Sequence, residues 1–297
     1  MRLGAHIGIA DGLAQSAVTA RGIGCEVMQI FSKSPQMWAG TVIPEESGKE
    51  FAEAVRREGL KSTAVHHGYL ANLASPKPPQ LKQSRGAFLD ELKRAELLQV
   101  DYLILHPGAH MGSGPEAGIL SIAESLNGAF DATPGFRVRV LLENAAGQGT
   151  TMGSKFEELA DVIRRVVDRT RVGVALDTCH LFAAGFDFRT PTGYGALIDQ
   201  VESSFGTSEV RAFHLNDAKA DVGSHLDRHE NIGKGKIGAE GFRPWLEDPR
   251  WAEHPGFLET PLEGDDYIDY VNDLKSLRAL LTPSTKRPKK RSTKKAA

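Results

Sequence analysis

Nine side chains of this 297-residue chain have the chemistry of divalent-metal ligands. His66, His106, His180, His214 and His229 offer imidazole nitrogens, and Glu143, Asp177, Asp227 and Glu259 offer carboxylate oxygens. These are the usual nitrogen and oxygen donors for zinc. The densest stretch is 210–238, where an apolar run delivers His214 and a polar, glycine-punctuated loop presents Asp227 and His229 with one residue between them. In an extended loop, residues two apart share a face, so the pair can reach one ion. Asp177 and His180 stand in DTCH, where a turn after a strand can aim them at neighbouring ions. One zinc needs three protein ligands and an open position, so nine ligands with a shared carboxylate suffice for three ions. Three clustered dications suit phosphodiester hydrolysis, because a pair can deprotonate a bridging water while a further ion takes up charge on the leaving oxygen.

An isolated Asp-x-His pair is a weak sign, and it is the placement of the nine that strengthens it. Short β-rich runs are expected at 3–6, 27–31, 62–66, 102–106, 138–143, 173–177, 210–214 and 256–259. Helical stretches alternate with them at 12–21, 45–58, 81–98, 116–130, 154–168, 194–203, 239–246 and 265–281. Runs such as LILH and VRVLLEN lack period-two alternation, as parallel strands covered on both faces do. Phe88, Leu89, Leu92, Ala95 and Leu98 recur at three- and four-residue spacing, as on the apolar stripe of a helix. This α/β alternation predicts a (β/α)8 TIM barrel, one domain over 1–281. The alternative, a doubly wound open sheet, lacks a GxGxxG after an early strand. His66, His106, Glu143, Asp177, His214 and Glu259 each fall at or just past a strand's C-terminal end, the catalytic rim of a barrel.

A hydrophobic fraction of 40% and a charged fraction of 25% are those of a soluble globular protein. No run of 18 apolar residues predicts a membrane helix, and MRLGAHIGIADG does not read as a signal peptide, so a cytoplasmic protein is expected. Two cysteines, Cys25 and Cys179, are too few for a disulfide framework. The near-neutral net charge hides an asymmetry: of 36 basic residues seven lie in 282–297 with no acid, leaving 29 against 38 acidic residues in the body, a formal −9 facing a +7 tail. The tail, Lys/Arg-rich and almost without apolar residues, is expected to be disordered and to bind nucleic-acid phosphates. The acidic body does not forbid a DNA substrate, since four of its charges are the carboxylates above and three dications would more than neutralise them.

The segments GAHIG, HHGYLANLASP, LHPGAHMGSG, LLENAAGQGTTMG, ALDTCHLFAAGFD, FHLNDAKADVGSHLDRHENIGKGKIG and FLETP resemble, in register from residue 3 to 261, the endonuclease IV family of apurinic/apyrimidinic endonucleases. The resemblance implies a barrel with three Zn2+ ions, Mn2+ being an alternative at one of them. It implies cleavage of double-stranded DNA 5′ to abasic sites to leave a 3′-hydroxyl, together with removal of blocked 3′ ends. Carried over by position, His66 and His106 would hold a first ion with Glu143. Glu143 would bridge to a second held by Asp177, His214 and Glu259, and His180, Asp227 and His229 would hold the third. The implied nucleophile is a hydroxide bridging the first two ions, with Glu143 and Glu259 as the catalytic carboxylates. The loop bearing Tyr69 and Leu70 would enter the minor groove while the abasic nucleotide is turned out of the stack, a movement that costs least where no base is paired.

The chain departs from the family just before Trp38, where SPQMW places Gln36 and Met37 instead of a basic residue; Gln36 can reach the DNA gap only as a hydrogen-bonding group. His6 and His110 are read as hydrogen-bonding rim residues, His67 as pointing away from His66, His225 and His254 as loop histidines, and Cys179 as a small core residue. An enzyme that must engulf bent duplex is expected to be a monomer. One rival is a sugar isomerase or epimerase that would use Glu143, Asp177, His214 and Glu259 for one or two ions and has no need of His66, His106, His180, Asp227 and His229. The other is a non-catalytic module binding damaged DNA, for which so complete a ligand set is superfluous. If the tail is a tethered polycation, deleting 282–297 lowers DNA affinity and flattens its dependence on salt while leaving the chemical step nearly unchanged, as binding isotherms at several ionic strengths would show.

Overall fold

The computed structural model describes residues 1–264 and 266–281. The tail at 282–297, with its expected disorder and phosphate binding, lies outside the described residues. In chain order the elements are β1 (Arg2–His6), α1 (Leu13–Gly22), β2 (Val27–Ile30), α2 (Glu45–Arg57), β3 (Thr63–His66), α3 (Pro78–Leu97), β4 (Tyr102–Leu105), α4 (Pro115–Asp131), β5 (Arg139–Glu143) and α5 (Phe156–Arg165). There follow β6 (Val172–Asp177), α6 (Thr178–Ala184), α7 (Pro191–Ser204), β7 (Val210–His214), β8 (Asp217–Ala218), β9 (His229–Glu230), α8 (Arg243–Glu247), β10 (Pro255–Leu258) and α9 (Ile268–Leu281). Eight strands close into a barrel in the order β1-β10-β7-β6-β5-β4-β3-β2, and each neighbouring pair is parallel. The chain is a TIM barrel, as its β/α alternation predicts.

Its strands are apolar on both faces because both faces are covered. Val27, Ala64, Ile104, Leu141, Ala175, Ala212 and Phe257, one from each of seven strands, form a cluster of their own. On β1 this level is taken by Gly4, opposite Val27 on one side and Phe257 on the other. A Cβ there would lie 1.8 Å from the Val27 carbonyl oxygen, so only glycine closes the ring. The opposite strand faces pack on the helices, as α3 does through Ala87, Phe88, Leu92 and Ala95.

The structure differs from the sequence expectation at several element ends and in elements the sequence did not announce. Helix α7 starts at Pro191, three residues before 194, because proline suits the first turn and the Thr190 hydroxyl accepts the Gly193 N–H at 3.1 Å. The helix expected over 239–246 is instead a 3-10 turn, Ala239–Phe242, followed by α8; Pro244 in the first turn of α8 has no N–H with which to continue a helical ladder from before it. Helix α6 follows β6 without a loop, and its run TCHLFAA is buried over nearly its whole length, so no amphipathic stripe announces it. The pair β8 and β9 is too short for periodicity to reveal. Among the described residues no helix is long and apolar enough to cross a membrane. Both cysteines are buried and free.

Trp245 of α8 is buried edge-on against Phe188, Tyr194 and Phe213, at centroid distances of 5.3, 5.0 and 5.6 Å, and its indole N–H has no partner among the described residues. Truncating a buried aromatic costs about 3–5 kcal/mol through lost contacts and the cavity left behind. Trp245→Ala is therefore expected to lose that much stability in reversible denaturant unfolding. Trp245→Phe loses clearly less, because it also removes an N–H buried without an acceptor.

Candidate metal centre

Each barrel strand that carries a candidate ligand ends its apolar run with it. His66, Glu143, Asp177 and His214 are the last residues of β3, β5, β6 and β7, while His106 and Glu259 stand one residue past β4 and β10. His180 is delivered by α6, whose N-cap is Asp177: the Asp177 Oδ1 accepts the His180 main-chain N–H at 2.7 Å. This cap is the turn that separates the two side chains of DTCH. Asp227 and His229 come from the long loop after β7, the latter as the first residue of β9.

The structure brings all nine together. Glu143, with no exposed surface, has Oε1 at 2.8 Å from His214 Nδ1 and 3.4 Å from His180 Nδ1. Its Oε2 lies 3.1 Å from His66 Nε2 and 3.6 Å from His106 Nδ1. Glu259 Oε2 is 3.5 Å from His214 Nδ1, and Asp177 Oδ2 is 3.9 Å from His214 Nδ1 and 3.7 Å from His229 Nε2. His180 Nε2 and His229 Nε2 both lie 3.2 Å from Asp227 Oδ1. Three sets thus have donor atoms within 4.8 Å of one another: His66, Glu143, His214 and Glu259; His106, Glu143 and His180; and His180, Asp227 and His229. A fourth joins Asp177 and His229 to Cys179, whose Sγ donates to the Arg228 carbonyl oxygen at 3.6 Å. This grouping differs from the expected division in three respects: His66 stands with His214 and Glu259, His106 with His180, and Asp177 with Cys179 and His229.

Four of the five imidazoles are oriented as metal ligands are, outer nitrogen on an acceptor and inner nitrogen on the centre. His66 Nδ1 donates to the His67 carbonyl oxygen at 2.8 Å, His180 Nδ1 to that of Asn144 at 2.9 Å, and His229 Nδ1 to that of Glu259 at 3.1 Å. His214 Nε2 donates to Gln29 Oε1 at 2.9 Å. The inner nitrogens of His180 and His229 are buried near Asp227 yet have no hydrogen bond of proper angle. Two orphaned nitrogens and one carboxylate converging on a point is a donor set for a cation, and the residues fit a metal.

The Xylose isomerase-like TIM barrel family matches residues 18–280. "Probable endonuclease 4" of Chloroflexus aurantiacus is 40% identical over 280 residues, covering 94% of this chain and 98% of that one. The protein of the same name from Geobacter sulfurreducens is 40% identical, with 95% of each chain covered. The crystal structure of endonuclease IV from Thermus thermophilus superposes with a TM-score of 0.82 at 33% identity, over 95% of this chain and 99% of that one. The chain belongs to the endonuclease IV family. A D-tagatose 3-epimerase-like protein, at 16% identity and a TM-score of 0.69, shares the fold alone.

Three polar residues that sequence reasoning did not single out hold this family site in place. Gln29 of β2, fully buried, donates from Nε2 to Glu259 Oε1 at 2.6 Å while its Oε1 receives His214. Asn216 donates to Asp177 Oδ2 at 2.7 Å and accepts the Glu259 N–H at 2.8 Å. Asn144 accepts the Asp177 N–H at 2.7 Å. The available signal was a carboxamide inside or just past an apolar, largely buried strand, where a polar group must have a partner. His6 is a hydrogen-bonding rim residue, its Nδ1 3.0 Å from Gln29 Nε2 and 3.4 Å from Glu259 Oε1. His110 accepts the Gly114 N–H at 3.1 Å, and His67 bonds the Gly68 carbonyl oxygen and faces Phe88.

Tyr69 and Leu70 are exposed and line a cavity of about 520 Å³ that reaches His106, His180 and Asp227. Gln36 is exposed on the preceding loop, outside that cavity's lining. Its loop is tied down by Arg94, which donates to the Ser32 hydroxyl at 2.8 Å and to the Ser32 and Thr41 carbonyl oxygens at 2.7 Å each, and by Lys33 paired with buried Glu91.

Burial alone would depress the imidazoles of the centre, but the carboxylates overcome it at four of them, at His66 through Glu143 and Glu259. Glu259 and Glu143 carry His214 up to about 9, Asp227 and Asp177 carry His229 up to about 9, and Asp177, Asp227 and Glu143 raise His180. At His106 burial prevails and the value falls. Burial works against ionisation of Glu143, Glu259 and Asp227 as well, yet the surrounding imidazoles hold all three below the ordinary carboxylate range. Without ions the raised imidazoles are protonated at neutral pH, whereas a metal binds neutral imidazole, so loading must displace protons. Calorimetric titration with zinc in buffers of different ionisation enthalpy is expected to show proton release near pH 7 that fades as pH rises through about 9. Metal affinity weakens in step as pH falls.

Proposed function

We propose that this chain is a DNA-repair nuclease that hydrolyses the phosphodiester 5′ to abasic sites in double-stranded DNA, leaves a 3′-hydroxyl and trims blocked 3′ ends, using three zinc ions with manganese an alternative at one. The observation that carries the reading is the convergence of nine nitrogen and oxygen donors on one barrel mouth, four imidazoles among them held by an outer hydrogen bond. His66 and His106 with Glu143, then Glu143 with Asp177, His214 and Glu259, and finally His180, Asp227 and His229 are the proposed ligands. Bound, the ions supply activation of water and neutralisation of charge on the phosphate.

The chain's own groups do the rest. Glu143 is the shared carboxylate, and Gln29 and Asn216 fix Glu259 and Asp177, so the donors need little rearrangement to receive the ions. Tyr69 and Leu70 present exposed apolar surface at the cavity rim, suited to filling the stack beside a missing base, and the cavity is the proposed seat of the turned-out nucleotide. Gln36 is proposed as a hydrogen-bonding neighbour to that wedge. A cytoplasmic monomer with a phosphate-binding tail completes the reading. A sugar isomerase with one or two ions leaves the group His180, Asp227 and His229 without a task.

Two measurements test it. Elemental analysis of purified protein is expected to give close to three ions per chain, mostly zinc; a reproducible single ion favours the isomerase. A duplex oligonucleotide with one abasic site is expected to be incised on its 5′ side, with Glu259→Gln slower by at least about 100-fold, more than loss of an outer partner costs. Failure of the metal-loaded protein to cut that duplex sinks the proposal.

A further inference from the structure

Seven of the nine donors stand on barrel strands, one residue past them, or on α6; only Asp227 and His229 depend on a loop for their position. That loop is closed by a carboxylate outside the ligand sets. Asp217 has no exposed surface, and its side chain accepts the main-chain N–H groups of Ala218 (2.8 Å), Gly233 (2.9 Å), Gly235 (3.1 Å), Ile237 (2.9 Å) and Gly238 (3.2 Å). A carboxylate has about four lone-pair sites, so backbone donors alone occupy its accepting capacity. The segment 233–238 is in this way wrapped round one side chain. Gly235 fits only because it lacks a Cβ, which would lie 2.4 Å from Asp217 Oδ1 and 2.5 Å from the Ala218 carbonyl oxygen.

The same residue sits in β8, where it pairs with Glu230 while Ala218 pairs with His229. The main-chain N–H of Lys219 donates to the Arg228 carbonyl oxygen at 2.9 Å, and that of Lys236 to the Ala218 carbonyl oxygen at 2.7 Å. Residues 219–228, which carry Asp227, therefore leave and return through hydrogen bonds centred on β8. A separate anchor holds the chain just after His229: Asp273 of α9 accepts from Asn231 Nδ2 at 3.1 Å, from the Ile232 N–H at 3.0 Å and from the Thr260 hydroxyl at 2.6 Å. With Asp217 altered, this second anchor keeps the loop attached to the barrel, so the effect falls on the loop's fine position.

We propose that Asp217 is the positioning residue of the His180, Asp227 and His229 group, acting through the wrapped segment and β9 to set how tightly that group holds its ion. The inference rests on the reading of the centre as a metal site. Its test uses the full chain, with Asp217→Asn attacking the clamp from the carboxylate side and Gly235→Ala from the loop side. Bound zinc per chain is measured at buffered free zinc, the cobalt-substituted spectrum is recorded, and the near-ultraviolet circular dichroism of metal-free protein reports the fold. Both variants are expected to keep two ions as tightly as the unaltered protein and to loosen one by roughly 10–100-fold, the range for loss of an outer partner of a ligand. Incision of abasic duplex then falls in kcat with KM nearly unchanged and recovers as free zinc is raised.

Variants that bind every ion as the unaltered protein does overturn the inference alone. So does a uniform loss of all ions in proportion to lost circular dichroism, or activity that zinc does not restore. Unaltered protein with no ion at this group overturns the proposed function and this inference with it.

Discussion

Glu143 is a carboxylate with no exposed surface, and a charge so placed is tolerable only if the protein surrounds it with compensating groups. His66, His106, His180 and His214 do so, arriving from three separate strand ends and from α6. That convergence is possible only if β3, β4, β5, β6 and β7 finish at a common level round a closed ring. The closure in turn rests on the graded filling of the interior, from Gly4 to Phe257, so the packing of the barrel and the charge balance of its mouth are one constraint. The cage can be balanced in two ways: protons on the imidazoles can satisfy the carboxylates, or metal ions can.

Much of this was legible in the sequence. Ligand-type residues at the ends of successive apolar runs, together with the regular β/α alternation, give the barrel and its rim, because burial on both faces makes a polar side chain costly within a strand and easier to place at its end. The supporting residues were not legible. Gln29 sits inside VMQI, and nothing in the spacing says that its amide bridges His214 and Glu259, since that depends on β1, β2, β7 and β10 meeting across the barrel. Asp217 follows His214 by three residues and reads as one more acid of a polar loop; its partners are mostly backbone amides sixteen or more residues away, which leave no mark on side-chain pattern beyond the glycines of GKGKIG. Helix α6 was hidden because a helix buried on every side has no periodicity to display.

The fold by itself decides little. Proteins that process sugars share this barrel at 13–17% identity, so the scaffold is common property and the activity must be argued from the donors grafted on its mouth. In this chain the loop after β7 adds an acid and an imidazole, Asp227 and His229, to donors that the strands and α6 already bring together. A loop with that duty cannot be left to fluctuate, which gives physical meaning to the two buried carboxylates that hold it.

The placement of the two cysteines has a consequence for durability. Burial pushes the Cys25 thiol up to about 12 and raises Cys179 as well. Oxidants attack the thiolate, which at neutral pH amounts to roughly one part in 100,000 for a thiol with such a value. Burial thus disfavours the thiolate at the centre, even though Cys179 lies between Asp177 and His180 in the chain. A protonated, buried sulfur is a poor target for oxidants, so in the metal-free protein the nitrogen and oxygen donors have no readily ionised thiol for a neighbour.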